Sequence, residues 1–108
     1  MTTRISPQEV HESLRSDDDA VIIDVLPRGY FKKQHLPKAI SIPEEEVPET
    51  VQKLFEKNRK LILYCYDADC LKSPHAAKKL EDLGYENVYD LEEGIEGYKQ
   101  AGYEIHMI

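Results

Sequence analysis

The sequence predicts an α/β domain in which helices cover a parallel sheet. Two runs, residues 20–25 and 61–64, are apolar apart from Asp24, which is typical of strands buried on both faces. Segments with apolar residues at helical spacing lie between and after these runs. Strands that alternate with helices along 108 residues favour a parallel sheet, whose ligands bind beyond the carboxyl ends of its strands.

The first half of the chain supplies three predicted strands and two predicted helices. Ser6 and Glu9 form a capping-box pattern, which predicts the start of the first helix. Asp24 stands at the end of the second strand and is expected to be a structural hydrogen-bond acceptor. In order, the predicted elements are a strand at 4–5, a helix from 6 to about 16, an acidic turn at 17–19, a strand at 20–25, a helix at 28–34 and a strand at 39–42.

The second half continues the alternation. Ser73 is predicted to cap a helix that Gly84 closes in the left-handed conformation. In order, the predicted elements are a helix over 44–58 whose regular part begins at Pro48, a strand at 61–64, a helix at 73–83, a strand at 88–91, a helix at 94–101 and an extended piece at 103–105.

The composition excludes several classes of protein. A length of 108 residues supports one domain, spanning 1–108. The net charge of −7 disfavours binding to nucleic acid or to anionic membranes. No apolar run approaches the roughly 20 residues of a membrane helix, and the first residues lack the apolar region of a signal peptide. We therefore expect a cytoplasmic monomer with no nucleic-acid or membrane partner.

Cys65 is the candidate nucleophile. It follows the strand at 61–64 directly, and a loop of seven residues, 66–72, separates it from the helix predicted at Ser73. Free backbone N–H groups and the helix dipole would favour its thiolate at this position. Cys70 lies in the same loop, and two cysteines this close form neither a disulfide framework nor a four-ligand zinc site. No metal or cofactor is expected.

Five stretches resemble, in order and spacing, a single rhodanese-like domain. They are VIIDV at 21–25, HLPKAISIP at 35–43, LILYC at 61–65 followed by Ser73 and Ala76-Ala77, LGYENVY at 83–89, and LEEGIEGY at 91–98 before Ala101-Gly102. The resemblance implies a three-layer fold, with a central parallel five-stranded sheet flanked by helices. It also implies that Cys65 takes sulfane sulfur as a persulfide and passes it to a thiol or cyanide acceptor.

The loop departs from the usual sulfurtransferase pattern. It is longer, contains no arginine, and carries Asp67 and Asp69, which only Lys72 offsets; Leu26 also replaces a common arginine. Such carboxylates repel a dianion such as thiosulfate, so we expect a small-molecule or protein persulfide as donor and a thiol as acceptor. The candidate substrate-binding residues are Tyr66, Asp67, Ala68, Asp69, Leu71, Lys72 and Ser73.

Several alternatives stay open. Cys70 is a resolving cysteine, an alternative nucleophile or a bystander. The whole domain is alternatively a non-catalytic binding module, or a redox switch that needs the two cysteine α-carbons within about 7 Å. A cysteine phosphatase is disfavoured because Leu71 stands where a phosphate-binding arginine is required. His35, like Asp24, is expected to make a structural hydrogen bond near the site.

Overall fold

A five-stranded parallel sheet forms the centre of the fold, as predicted. The computed structural model describes residues 2–16 and 18–108, so the predicted acidic turn lies partly outside the described residues at Asp17. The strand order is β1-β5-β4-β2-β3, and every pairing is parallel. The strands are β1 (Thr3–Arg4), β2 (Val21–Asp24), β3 (Ile40–Ser41), β4 (Leu61–Tyr64) and β5 (Val88–Leu91).

Helices cover both faces of this sheet. They are α1 (Pro7–Arg15), α2 (Arg28–Lys33), α3 (Val47–Leu54), α4 (Lys72–Asp82) and α5 (Gly94–Gln100), with a 3-10 turn at Glu44–Glu46 before α3. The longest, α4, has 11 residues, and no helix among the described residues is long and apolar enough to cross a membrane.

Two separate apolar cores, one on each face of the sheet, explain why the sequences of the central strands are mostly apolar. Ile23 and Leu63 pack in one core with α3 and α4, whereas Ile22 and Ile62 pack in the other with α1 and α5. Successive side chains of a strand point to opposite faces, so a strand covered on both faces is apolar at most of its positions. The three-layer arrangement follows from this burial.

Local signals in the sequence predicted most ends of helices and strands to within a few residues of where the structure has them. Ser6 and Glu9 make both hydrogen bonds of the capping box, and Gly84 has a φ of 97°. The helix predicted over 44–58 is shorter, because Phe55 is already extended. The piece at 103–105 forms no strand; instead His106 makes an antiparallel bridge with His35.

Candidate active site

Cys65 lies at the carboxyl end of β4, the central strand of the sheet. It is only 1% exposed and is joined to Cys70 by a disulfide, with the two α-carbons 6.3 Å apart. The structure therefore holds the oxidised form of the loop, in place of the free Cys65 thiol that the sequence led us to expect. The spacing of the α-carbons meets the geometric requirement for a switch between thiols and disulfide.

A tight turn brings Cys70 back over Cys65. The carboxylate of Asp67 accepts a hydrogen bond from the N–H of Asp69 at 3.1 Å, and the Asp67 carbonyl accepts one from the N–H of Cys70 at 3.1 Å. This Asx-type turn gives Asp67 a structural role in addition to its charge. The loop between Cys65 and α4 has six residues rather than seven, because α4 begins one residue earlier than predicted.

The start of α5 holds the other side of the loop. The N–H of Ile95 donates to the carbonyl of Cys65, and the N–H of Glu96 donates to the carbonyl of Tyr66, both at 3.0 Å. Gly94 has a φ of 66°, and a Cβ there would lie 2.5 Å from the carbonyl carbon and oxygen of Tyr66. Only glycine permits this approach, so Gly94 belongs to the machinery that positions Cys65.

Ser73 contacts the sulfur instead of capping the helix. Leu71 occupies the N-cap of α4 without a side-chain hydrogen bond, so the predicted capping role of Ser73 is wrong. Its Oγ lies 3.4 Å from Cys65 Sγ, and the residue is 1% exposed. A serine one position inside the helix can direct its hydroxyl back toward the preceding strand, which serves the cysteine rather than the helix end.

Asp90 is a site residue that the sequence reasoning missed. It is 4% exposed, and its Oδ1 has no hydrogen-bond partner among the described residues. Burial raises the pKa of Asp90 and the charge of Glu92 acts the same way, while a hydrogen bond with Ser73 and the charge of Arg4 act in the opposite direction. Strand alternation was the available signal, because it places Asp90 on the same face as Val88, which packs against α4.

Glu44 lies beside two basic side chains at the start of α4. Its two carboxylate oxygens lie 3.7 Å from Lys72 Nζ and 3.4 Å from His75 Nδ1. Lys72 was the one cation expected to offset the loop carboxylates, and it is already paired with a partly buried acid. Among the described residues, no group of three or more His, Cys, Asp or Glu side chains is arranged to hold a metal ion.

The outer surface of the loop is part apolar and part acidic. Tyr66 and Leu71 are 43% and 69% exposed, and Ala68, Asp69 and Lys72 also face solvent. Tyr64, on the other side of Cys65, is fully buried in the core shared with α1 and α5. The strand alternation around Cys65 therefore points one tyrosine into the core and leaves the other at the loop surface.

Asp24 and His35 form contacts on the far side of β4. Asp24 accepts hydrogen bonds from the Leu26 N–H and the Tyr64 hydroxyl, both at 2.9 Å, and the hydroxyl in turn accepts the Leu36 N–H at 3.1 Å. Burial raises the pKa of Asp24, although these hydrogen bonds and the charge of His35 oppose the rise. His35 Nδ1 donates to the Phe31 carbonyl at 2.8 Å.

Comparison with known proteins agrees with the fold. Residues 6–101 match the rhodanese-like domain family, and the chain belongs to that family. It is similar to the thiosulfate sulfurtransferase GlpE of Coxiella burnetii, with 28% identity over 99 residues that cover 92% of this chain and 89% of GlpE. The structure superimposes on the BH2092 protein of Bacillus halodurans with a TM-score of 0.89 and 26% identity, covering 98% of this chain and 77% of the other.

The family also includes proteins with other roles. The chain is 31% identical over 88 residues to an HTH-type transcriptional regulator of Mycobacterium tuberculosis, covering 82% of this chain and 38% of the regulator. It spans between 22% and 38% of the length of three of the curated relatives that it matches. Family membership and the likeness to GlpE support a sulfurtransferase-type function.

Proposed function

We propose that this protein carries sulfane sulfur as a persulfide on Cys65 and passes it to a thiol or cyanide acceptor, with Cys70 as the resolving cysteine. The observation that carries the proposal is the pairing of Cys65 with Cys70 at the carboxyl end of the central strand. The resemblance of its sequence stretches to a rhodanese-like domain implies that Cys65 matches the sulfur-binding cysteine. Cys70 has the position from which a second thiol reaches it.

The transfer needs two substitutions at sulfur. The Cys65 thiolate attacks the outer sulfur of a persulfide donor, R–S–SH, and R–S⁻ leaves, so that Cys65 becomes Cys–S–SH. An acceptor thiolate then attacks that outer sulfur, which restores the Cys65 thiolate and yields the acceptor persulfide. Both steps are thiolate exchanges, and their rates depend on the ionised fraction of the attacking thiol and on its access.

Cys70 provides a second outcome. Its thiolate attacks the inner sulfur of the Cys65 persulfide, the Cys65–Cys70 disulfide forms, and HS⁻ leaves. The sulfane sulfur is reduced to sulfide while the two cysteines are oxidised, so a dithiol reductant has to reopen the disulfide before another cycle. The disulfide in the structure joins the same two cysteines that this step would join.

The charges around the loop favour a persulfide donor over thiosulfate. Asp67 and Asp69 lie within the loop, the loop contains no arginine, and the side chains of Lys72 and His75 pair with Glu44. A dianion approaching this surface meets net repulsion, whereas a persulfide group carries at most one negative charge and its donor can be neutral overall.

Intact mass spectrometry of the reduced protein tests the proposal. Cys70→Ser, incubated with glutathione persulfide, should gain one sulfur atom, because the persulfide has no thiol to resolve it. The unchanged protein should form its disulfide and release sulfide, and Cys65→Ser should gain nothing. An adduct that persists in Cys65→Ser, or no adduct on Cys70→Ser with any donor, would refute Cys65 as the sulfur carrier.

Donor preference is tested by rates with cysteamine persulfide, whose ammonium group offsets the charge of its persulfide, and with thiosulfate. We expect faster turnover of the persulfide, and Asp69→Asn should raise the thiosulfate rate at low salt more than at high salt. Asp69 is the appropriate position, since Asp67 also holds the turn and its removal would displace Cys70. A thiosulfate rate that matches the persulfide rate and ignores salt would contradict the electrostatic argument.

The same disulfide favours a thiol redox switch as a second candidate function. In this case mild oxidation would close the disulfide and alter the exposed surface formed by Tyr66, Asp69 and Leu71, without any sulfur transfer. The mass experiment separates the two functions: a switch forms the disulfide with an oxidant, yet Cys70→Ser gains no sulfur from a persulfide. A pure binding module would do neither.

A further inference from the structure

The two halves of the disulfide differ in their access to solvent. Cys65 is only 1% exposed and belongs to the apolar core that includes residues of α3 and α4, whereas Cys70 is only partly buried against that core. The chain neighbours of Cys70, Asp69 and Leu71, both face solvent, and Leu71 is 69% exposed. Cys70 is therefore the outer cysteine of the pair, and Cys65 is the inner one.

This asymmetry decides which sulfur an external thiol can attack. In thiol–disulfide exchange the attacking thiolate approaches one sulfur in line with the S–S bond, from the side opposite the sulfur that leaves, and the rate depends on access to that side. Cys65 is enclosed on all sides, so a thiolate could attack it only by displacing core side chains. Cys70 is open to solvent on part of its surface.

We propose that reducing thiols open the disulfide by attack on Cys70, with Cys65 as the leaving thiolate. A thiolate of the reductant bonds to Cys70 Sγ, the bond between the two cysteines breaks, and its electron pair stays on Cys65. The Ser73 hydroxyl, with its Oγ 3.4 Å from Cys65 Sγ, can donate a hydrogen bond to the thiolate that forms. The proposal rests on the proposed function in taking Cys70 as the resolving cysteine, and it states how the pair is returned to its reduced form.

The mixed disulfide that forms on Cys70 favours a dithiol as the reductant. The Cys65 thiolate can attack Cys70 again, since the two α-carbons are 6.3 Å apart, and this attack expels a monothiol and restores the original disulfide. A dithiol has a second thiolate, which attacks the reductant's own bonded sulfur, so that Cys70 leaves as a thiolate. The dithiol is oxidised to a disulfide and releases its two protons to solvent, and the cysteine pair has gained two electrons.

The surface around Cys70 defines the chemistry of that dithiol. Tyr66 and Leu71 expose apolar side chains, and Asp69 adds an exposed carboxylate. The nearby Lys72 is paired with Glu44 and does not offset this charge. Because the attacking thiolate is itself an anion, further negative charge on the reductant increases the repulsion. The surface fits a dithiol protein whose reactive cysteine is surrounded by apolar groups without net negative charge.

Cysteamine, a cationic monothiol, is the probe that locates the first attack, because it stays on the sulfur to which it bonds. The oxidised protein is treated with cysteamine at pH 7 and quenched with N-ethylmaleimide after increasing times. Both cysteines lie in the tryptic peptide 61–72, and tandem mass spectrometry of this peptide shows which cysteine carries cysteamine and which carries maleimide. The ratio is extrapolated to zero time, since the probe can migrate after the first attack.

At zero time, cysteamine on Cys70 should exceed cysteamine on Cys65 by at least about tenfold, because Cys65 is enclosed. Equal amounts on the two cysteines, or an excess on Cys65, would overturn the proposal. The experiment uses no sulfur donor. A protein that opens at Cys65 could still carry a persulfide, and a protein that carries no persulfide could still open at Cys70, so the two failures are distinguishable.

Ser73→Ala tests Cys65 as the leaving group. Loss of the hydroxyl should slow the opening by cysteamine by about fivefold, because the departing thiolate loses a hydrogen bond, and Ser73→Thr should restore most of the rate. If Cys70 were the leaving group, removal of this hydroxyl would not slow the reaction, so an unchanged rate in Ser73→Ala overturns the assignment. The position of cysteamine in the protein without substitutions decides the proposal even if a variant fails to fold.

The charge preference is tested by comparing cysteamine with glutathione, whose thiolate form is a dianion. Glutathione should open the disulfide more slowly, and Asp69→Asn should raise the glutathione rate more than the cysteamine rate, with a larger difference at low salt. Asp82→Asn, at the opposite end of α4, is the control for loss of one negative charge and should change neither rate. Equal effects of Asp69→Asn on both thiols would overturn the preference for a reductant without negative charge.

Discussion

Two buried carboxylates flank the central strand, and their partners differ. Asp24, at the end of β2, has both oxygens engaged, one by the Leu26 N–H and one by the Tyr64 hydroxyl. Asp90, on β5, leaves its Oδ1 without a hydrogen-bond partner among the described residues. Burial is the first cause that raises the pKa of each.

This difference separates a carboxylate that is fully hydrogen-bonded from one that is not. Buried polar atoms are nearly always paired, because an unpaired one costs about 1–3 kcal/mol. Asp24 follows that rule and ties β2 to β4 and to the Leu36 backbone. Asp90, on the strand next to β4, departs from that rule, because its buried Oδ1 has no hydrogen-bond partner among the described residues.

The largest effect is expected from Asp24→Ala. Two buried donors, the Leu26 N–H and the Tyr64 hydroxyl, lose their acceptor, and the free energy of unfolding should fall by about 3 kcal/mol. Urea denaturation followed by circular dichroism measures the change.

Asp90→Ala is the matched control for that substitution. It removes an acid whose Oδ1 was already unpaired, so it should cost less than half as much. Equal losses for the two alanine variants would show that both carboxylates are structural, and the contrast between them would fail.

Asp90→Asn is expected to change the free energy of unfolding by an intermediate amount that depends on pH. Because burial raises the folded-state pKa of Asp90 above its ordinary value of 3.8, the folded state binds this proton more readily than the unfolded state. The carboxylate therefore destabilises the fold above its folded-state pKa, and that cost disappears as the pH falls below the unfolded-state value. Asp90→Asn should stabilise the protein by about 1 kcal/mol at pH 7 and by much less at pH 3.

Urea unfolding of the oxidised protein at both pH values checks this sign. The oxidised form is used so that ionisation of Cys65 does not contribute. A stabilisation that grows toward low pH would mean that the folded state favours the carboxylate, which contradicts the assigned direction.

The smallest effect is expected from Glu92→Gln. Glu92 is 42% exposed at its side chain and pairs with a still more exposed Arg4, and such surface pairs contribute about 0–1 kcal/mol. The free energy of unfolding should change by no more than about 0.5 kcal/mol at 150 mM salt. A larger loss would place Glu92 in the same structural class as Asp24.

Most of the fold could be predicted from local patterns. The capping box at Ser6, the apolar runs of β2 and β4, and Gly84 after α4 are signals that neighbours in sequence provide, and each appears in the structure. The predicted helix and strand ends were less accurate where tertiary contacts compete with local signals. Ser73 is an example, because its hydroxyl faces the sulfur rather than the helix end.

The sequence by itself determined the α/β class, the parallel sheet and the place of Cys65 at a strand end. Apolar runs indicate strands buried on both faces, and apolar residues at helical spacing indicate the helices between them. Only the tertiary structure decided which groups surround that cysteine. Glu44, Asp90 and Gly94 are 21 to 29 positions away from Cys65 in the chain, and they reach the loop because parallel strands and their connections converge at one edge of the sheet. The charged and turn residues of the loop could be identified from the sequence, whereas the pairing of Lys72 with Glu44 and the hydrogen bond from the Ile95 N–H to the Cys65 carbonyl depended on that convergence.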